Sequence, residues 1–294
     1  MKWQIPAKTF LLGEYAAIAG KPAILLTTSP CFTLTLTKNA KLEGIHPESP
    51  AGLWWQKNQC HPFGLSWQDP YHGQGGLGAS SAQFLACYLA TCSLQEITPR
   101  LNHMLEAYYQ SSWSGLGLRP SGYDVIAQSQ QSCVYIDKQK NQVNSFSWPF
   151  KDLSFLIIHT GNKLATHHHL QEVTLPSQID YLASLVIKAK EAFDLVHSHH
   201  LIQCINLYAQ KLTELNLVSQ HSLPLIKSIK SYPETLAIKG CGALGADTLL
   251  ILTDKRDLQS LKDKVQDQDQ NWLILATEDN LTVRNNNSLF EKSI

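Results

Sequence analysis

The run Gly75-Gly76-Leu77-Gly78-Ala79-Ser80-Ser81 passes without a break into the small-residue and apolar stretch Ala82 to Cys92, and it restricts this chain more than any other feature. Three glycines in four positions do not continue a strand or a helix, whereas the residues after them suit a tightly packed helix. The pattern is a glycine loop that opens a buried helix. Such a loop lets backbone N–H groups crowd around an anion, and the helix behind it points its positive end at the same place, so a phosphate suits it. Hydroxyls at Ser80 and Ser81 add a phosphate bond or a magnesium ligand. The same glycine-serine start also serves as an ordinary helix cap. Neither common nucleotide signature fits. No lysine precedes the hydroxyl residues as in a Walker loop, and the dinucleotide fingerprint needs an earlier strand–turn–helix and a later ribose-binding acid.

A chain of 294 residues, 44% of them hydrophobic, buries enough for one large domain or two packed lobes. Lysine plus arginine equals aspartate plus glutamate at 24 each, so no summed field holds a polyanion or an acidic membrane surface. Seven cysteines, scattered and odd in number, do not suit a closed disulfide framework, and a reducing, cytoplasmic setting is the simpler expectation. No signal-peptide pattern opens the chain, and no apolar run approaches the roughly 20 residues that cross a bilayer. The expected partner is a small molecule rather than nucleic acid or membrane, with the protein a monomer or homodimer.

Alternation predicts adjacent strands at Ala23 to Leu26 and Cys31 to Thr37. From Lys38 to Gly75 the pattern dissolves and stays unassigned, Trp54-Trp55 included. A helix is expected over Leu101 to Gln110, a strand over Cys133 to Ile136 and a buried strand over Leu153 to His159. Helices follow at Gln178 to Val196, Leu201 to Leu215 and Leu223 to Ser231. A glycine-rich turn, Lys239 to Gly245, then leads into the apolar Thr248 to Leu252, and one helix and one strand finish the chain.

Two more segments bear chemistry. Pro6 to Gly20 sets Lys8, Glu14 and Tyr15 among Gly13, Ala16, Ala17 and Gly20, leaving room for a ligand, although an isolated Lys/Glu pair is ordinarily a solvated surface feature. Asp124 follows the turn Pro120-Ser121-Gly122, where an aspartate also serves as a helix cap. His167-His168-His169 and His197 with His199-His200 raise a metal site, but consecutive histidines point in different directions and no Cys or carboxylate cluster completes a set, so a polar loop is the better reading.

Taken together these segments resemble the GHMP kinases, the galactose, homoserine, mevalonate and phosphomevalonate kinases. Pro6-Ala7-Lys8-Thr9-Phe10-Leu11-Leu12-Gly13-Glu14-Tyr15-Ala16 looks like the first motif of that family. Gly76-Leu77-Gly78-Ala79-Ser80-Ser81-Ala82 resembles the second, and Lys239-Gly240-Cys241-Gly242-Ala243-Leu244-Gly245-Ala246-Asp247 the third, in family order. Pro120-Ser121-Gly122-Tyr123-Asp124 matches the segment with the family's catalytic aspartate, and Thr160-Gly161 with Thr166 looks like a turn of mevalonate and phosphomevalonate kinases.

The resemblance implies an α+β, two-lobed fold, with an N-terminal ATP-binding lobe over 1–152 and a C-terminal sheet-and-helix lobe over 153–294. It implies ATP and Mg2+, with the phosphates on Gly76, Leu77, Gly78, Ala79, Ser80 and Ser81 and the magnesium on Ser80. Asp124 would deprotonate the acceptor, while Lys8 would stabilise the transferring phosphoryl group and keep Asp124 ionised. Glu14, Tyr15, Arg119, Ser121, Gly122, Thr166, Gly242, Ala243 and Gly245 would line the acceptor pocket. The sequence departs from the family at Ala79, Leu244 and Ala246, and no glutamate stands where mevalonate kinases hold magnesium from the preceding helix; Glu106 and Gln110 are the nearest substitutes.

Glu14-Tyr15 favours phosphomevalonate as acceptor, whereas Pro120 before Ser121-Gly122 leans to mevalonate. Arg119, with Lys163 as a second possibility, would hold the charge of a phosphorylated acceptor. A degenerate fold that binds a nucleotide without turnover is the non-enzymatic alternative, against which the retention of both Lys8 and Asp124 argues. A dehydrogenase is the other enzyme class that a glycine loop raises, and it would bind a reduced nicotinamide cofactor.

Overall fold

In the first half of the chain the backbone is organised by one long strand. The computed structural model describes residues 1–58, 62–161, 175–246, 248–268 and 272–283. Strand β2 (Ala23–Thr37) runs antiparallel to β1 (Lys2–Leu12) along most of its length. Its other edge is shared by β4 (Gly64–Gln68), opposite Thr33 to Thr37, and β5 (Cys133–Asp137), opposite Ala23 to Leu26. β6 (Gln142–Phe146) extends the sheet from β5, and the short β3 (Leu42–Glu43) pairs in parallel with β4.

Sequence alternation predicted two strands where there is one. The break expected near Pro30 is absorbed by a bulge, because pairing passes from Ile5↔Phe32 to Ala7↔Thr28 and leaves the proline, which has no N–H to donate, outside the ladder. The unassigned stretch contains β3, β4 and helix α2 (Pro50–Asn58), whose Trp54 and Trp55 are buried in the first core. With indoles that large, the segment is held by packing more than by any local period.

The second sheet is wholly antiparallel, in the order β10 (Leu273–Thr277), β7 (Leu153–His159), β9 (Thr248–Asp254), β8 (Ala237–Cys241). Its strands alternate between two apolar faces. Phe155, Ile157, Leu250 and Leu252 face one core, and Leu156, Ile158, Leu249 and Ile251 face another. Helices α6 (Ile179–Leu195) and α7 (Ser198–Glu214) fill the first of these. Ile24 and Leu26 of β2 and Leu11 and Leu12 of β1 reach the same core, so the two sheets share it. Helices α8 (Ser222–Lys230) and α9 (Leu258–Gln268) cover the outer face.

On the far side of the first sheet pack α2, α3 (Ala79–Leu94), α4 (Leu101–Ser112) and α5 (Tyr123–Gln128). A short helix α1 (Glu14–Ile18) follows β1 directly. The result is a layered α+β fold, as expected, with strands of the first sheet before residue 147 and strands of the second after 152. Among the described residues no helix is long and apolar enough to cross a membrane, and the six described cysteines are free.

Candidate active site

The glycine loop is held against β1 by the backbone itself, since the Lys8 N–H donates to the Leu77 carbonyl at 3.0 Å. Gly78, the residue before α3, sits in the left-handed region at φ 77°. A side chain there meets two obstacles: a Cβ would lie 2.8 Å from Lys8 Cγ and Cε and 2.9 Å from Gln128 Nε2. The aliphatic stem of Lys8 therefore runs across Gly78, and only glycine gives both the conformation and the space. Ser81 spends its hydroxyl on the Gly78 carbonyl at 2.9 Å, while Ser80 is exposed. The first-turn N–H groups of α3 precede the first intrahelical bond, Ala82 N–H to Gly78 O, and face the loop without intrahelical acceptors.

Lys8 ends beside Asp124. Its Nζ lies 3.1 Å from Asp124 Oδ2, with the lysine side chain 7% exposed and the aspartate 32%. The ammonium also stands 5.1 Å from the centre of the Phe10 ring. Asp124 lies within the first turn of α5 rather than at its cap, a place taken by Gly122 with no side-chain hydrogen bond. Burial, and then the nearby Asp124 carboxylate, raise the phenol of Tyr108 on α4 above its ordinary value. Glu106 and Gln110, two residues to either side of Tyr108, are exposed.

One residue that the sequence reading overlooked completes this junction. Gln128 stands one helical turn after Asp124, on the same face of α5, and its Nε2 donates to both the Pro6 and Gly78 carbonyls at 3.0 Å. It staples the first motif to the second. Its i+4 spacing from Asp124 was the available signal.

The other expected residues fall in a second cluster. Glu14 is buried and ion-paired with Lys239 of β8, which is fully buried. Lys239 Nζ also contacts the Phe10 carbonyl at 3.3 Å and Cys241 Sγ at 3.2 Å. Burial works against the lysine's charge, but the Cys241 sulfur and the Glu14 carboxylate outweigh it and hold the ammonium above its ordinary value. Glu14 Oε2 is buried without a hydrogen-bond partner among the described residues. Tyr15 is buried and hydrogen-bonded to the backbone of Leu244.

The third glycine-rich turn is tied down through its carbonyls. Leu244 O accepts from Ser219 N–H, Gly245 O from Ser222 Oγ and Ala246 O from Thr160 Oγ1, at 2.6 to 2.8 Å. Leu244, one of the departures from the family pattern, adopts φ 51°, the left-handed region in which a branched side chain is strained. Gly242 and Gly245 flank it, also at positive φ, with Ala243 in the same turn.

Arg119 stands apart from both clusters. Its guanidinium lies 4.4 Å from the centre of the Tyr109 ring, on the wall of a cavity that neither Lys8, Asp124 nor the glycine loop lines. Ser121 accepts from Tyr109 OH through its carbonyl and from Tyr123 N–H through its hydroxyl, and Gly122 packs over Tyr109. Thr166, Lys163, Asp247 and His167-His168-His169 lie outside the described residues. His197 accepts from the His200 N–H at the start of α7, a capping role.

The arrangement therefore sets the first-turn N–H groups of α3, without acceptors among the described residues, beside a lysine–carboxylate pair, the parts that phosphoryl transfer uses. Solved structures share the whole architecture. The mevalonate kinase of Methanococcus jannaschii superposes with a TM-score of 0.73 over 97% of this chain and 98% of its own, at 16% identity. The fold is that of the GHMP kinases. The phosphomevalonate kinase of Streptococcus pneumoniae, solved with phosphomevalonate and AMPPNP, gives 0.73 over 94% and 99% at 15% identity. The galactokinase of Lactococcus lactis gives 0.71 over 96% and 93% at 10% identity. A mevalonate pyrophosphate decarboxylase of Streptococcus pyogenes shares the GHMP-type fold as well, with a TM-score of 0.69 at 12% identity, so the architecture alone does not choose the reaction. No family sequence model matches the chain, and no curated protein sequence does.

Proposed function

We propose that this chain is an ATP-dependent small-molecule kinase that transfers the γ-phosphoryl group to an isoprenoid precursor of the mevalonate pathway, with phosphomevalonate favoured and mevalonate as the alternative. The observation that carries the reading is the 3.1 Å contact between Lys8 and Asp124, formed where the Lys8 stem crosses Gly78 of the loop. Residues more than a hundred positions apart meet only because the fold brings three motifs together. The triphosphate lies on the backbone of residues 76 to 81, and Lys8 neutralises charge on the phosphoryl group in flight. Asp124 orients the acceptor and takes its proton where it has one. The new bond joins the acceptor oxygen to the γ-phosphorus, and the bond from that phosphorus to the β-phosphate oxygen breaks as ADP leaves.

Glu14 and the turn of Gly242 to Gly245 face the acceptor in this reading, supported by the buried Glu14 oxygen that lacks a protein partner. We assign 1–152 to an N-terminal, ATP-binding domain and 153–294 to a C-terminal domain, with acceptor-facing residues drawn from both. Magnesium fits the residues present in one way. Among the described residues no cluster of three His, Cys, Asp or Glu side chains is placed for a metal, but magnesium is commonly held through nucleotide phosphates with few protein ligands, and the exposed Ser80 hydroxyl stands at the loop. Bound there, the ion would supply charge neutralisation of the phosphates. The mevalonate kinase and phosphomevalonate kinase neighbours, solved with R-mevalonate and with phosphomevalonate, support the choice of acceptor class.

The test is ATP consumption by purified protein against mevalonate, phosphomevalonate and galactose, alongside the Asp124→Asn variant. Turnover with one isoprenoid precursor that falls in the variant, with ATP affinity retained, is the expected result. ATP binding without turnover on any acceptor would leave a nucleotide binder instead.

A further inference from the structure

The cavity that holds Arg119 has a volume of about 270 Å³ and lies between α4, α5 and the β5–β6 hairpin. Ile126 of α5 lines it, whereas Asp124, two residues earlier, pairs with Lys8. Residues two apart on a helix point roughly 200° apart, so the cavity backs onto the face of α5 opposite the reacting pair. It is a second site, not an extension of the first.

Its charge is unbalanced. Lys138 Nζ donates to Tyr109 OH and to the Ser121 carbonyl, which uses two of its three N–H groups. Among the described residues the third has no acceptor, and no carboxylate comes within ion-pair distance of Lys138 or Arg119. Asp137, the acid on the wall, spends its carboxylate on the N–H groups of Gln139 and Lys140 and stands 3.9 Å from Lys140 Nζ. Burial, and then the neighbouring Arg119 charge, lower the Lys138 ammonium to about 8. Two cations that repel each other across a partly buried cavity are relieved by an anion that accepts from both.

We propose that this cavity is an anion-binding site, separate from the phosphoryl-transfer centre, that takes the phosphate or carboxylate group of a small metabolite between Arg119 and Lys138. The Tyr109 hydroxyl and the Lys138 contact to Ser121 tie the anion's position to the segment that carries Asp124.

Inorganic phosphate is the probe, titrated calorimetrically with and without a saturating non-hydrolysable ATP analogue that fills the glycine loop. One saturable phosphate is expected to persist in the presence of the analogue. Arg119→Gln, on an exposed side chain, and Lys138→Gln should each weaken it at least tenfold, while Asp124→Asn leaves it unchanged. The groups facing Lys138 are Arg119, Asp137, Tyr109 and Tyr123, and burial raises both phenols, so the fall in affinity between pH 7 and 9 reports the lysine losing its proton. Mevalonate 5-phosphate distinguishes the source of the anion. Additive binding assigns the cavity to a separate metabolite, whereas competition would make it part of the acceptor pocket and overturn its separateness. Absence of saturable phosphate binding once the loop is filled, or an affinity unchanged in Arg119→Gln, overturns the proposal.

Discussion

Replacing Lys239 by methionine strands the Glu14 carboxylate in the interior, and its consequences are calculable. The lysine is fully buried and the glutamate side chain 7% exposed, so water cannot replace the lost partner. Removing one member of such a pair costs about 3–5 kcal/mol, because the surviving charge stays desolvated. That is a large share of the roughly 5–15 kcal/mol that holds a domain folded. At roughly 2 °C per kcal/mol for a chain of this length, the midpoint of thermal unfolding should fall by about 6–10 °C. Adding Glu14→Gln should restore much of the loss, since a neutral amide beside methionine carries no stranded charge. Thermal and urea unfolding of the parent, both single variants and the double variant form a complete cycle. A Lys239→Met deficit under about 1 kcal/mol, or one that the second substitution does not reduce, would refute the reasoning.

Asp124→Asn should lower kcat by about 10²–10⁴-fold with ATP affinity intact if the acceptor is an alcohol, and by less if it is an ionised phosphate; single-turnover assays on both acceptors read the difference. Gly78→Ala forces a side chain into the Lys8 stem at positive φ, a backbone cost of about 1–2 kcal/mol. The lysine must move off Asp124, so kcat should fall together with the melting temperature. Arg119→Ala should leave the KM for ATP and for a phosphorylated acceptor little changed, since its cavity lies behind α5. A rise in the acceptor's KM alone would return Arg119 to acceptor recognition.

Where sequence carried the answer, the element had its own local period or an obligate glycine. Leu153 to His159 reads as a strand from composition and is one, and the loop before α3 declares itself because Gly78 tolerates no substitute. Long-range partnership was not visible in the same way. Glu14 and Lys239 both stand in motifs, yet nothing in either segment says that 225 residues of separation end in a buried ion pair. Gln128 is an unremarkable glutamine until α5 is packed against β1. The segment from Lys38 to Gly75 was opaque for the opposite reason. Its tryptophans fold into the first core through contacts with α3 and α4, as in the edge-on pair of Trp54 and Phe84, rather than by any repeat of their own.

Strand β1 connects these observations. The loop hangs from it through Lys8 N–H and Leu77 O, and the third turn through Phe10 O and Lys239 Nζ, so the two anchor points are two residues apart. Two strand residues span about 7 Å, and a single backbone keeps that spacing fixed. In the proposed kinase reading the phosphate loop and the strand that leads into the third turn are thereby held at a set separation, with Lys8 and Asp124 at one anchor and Glu14 at the other.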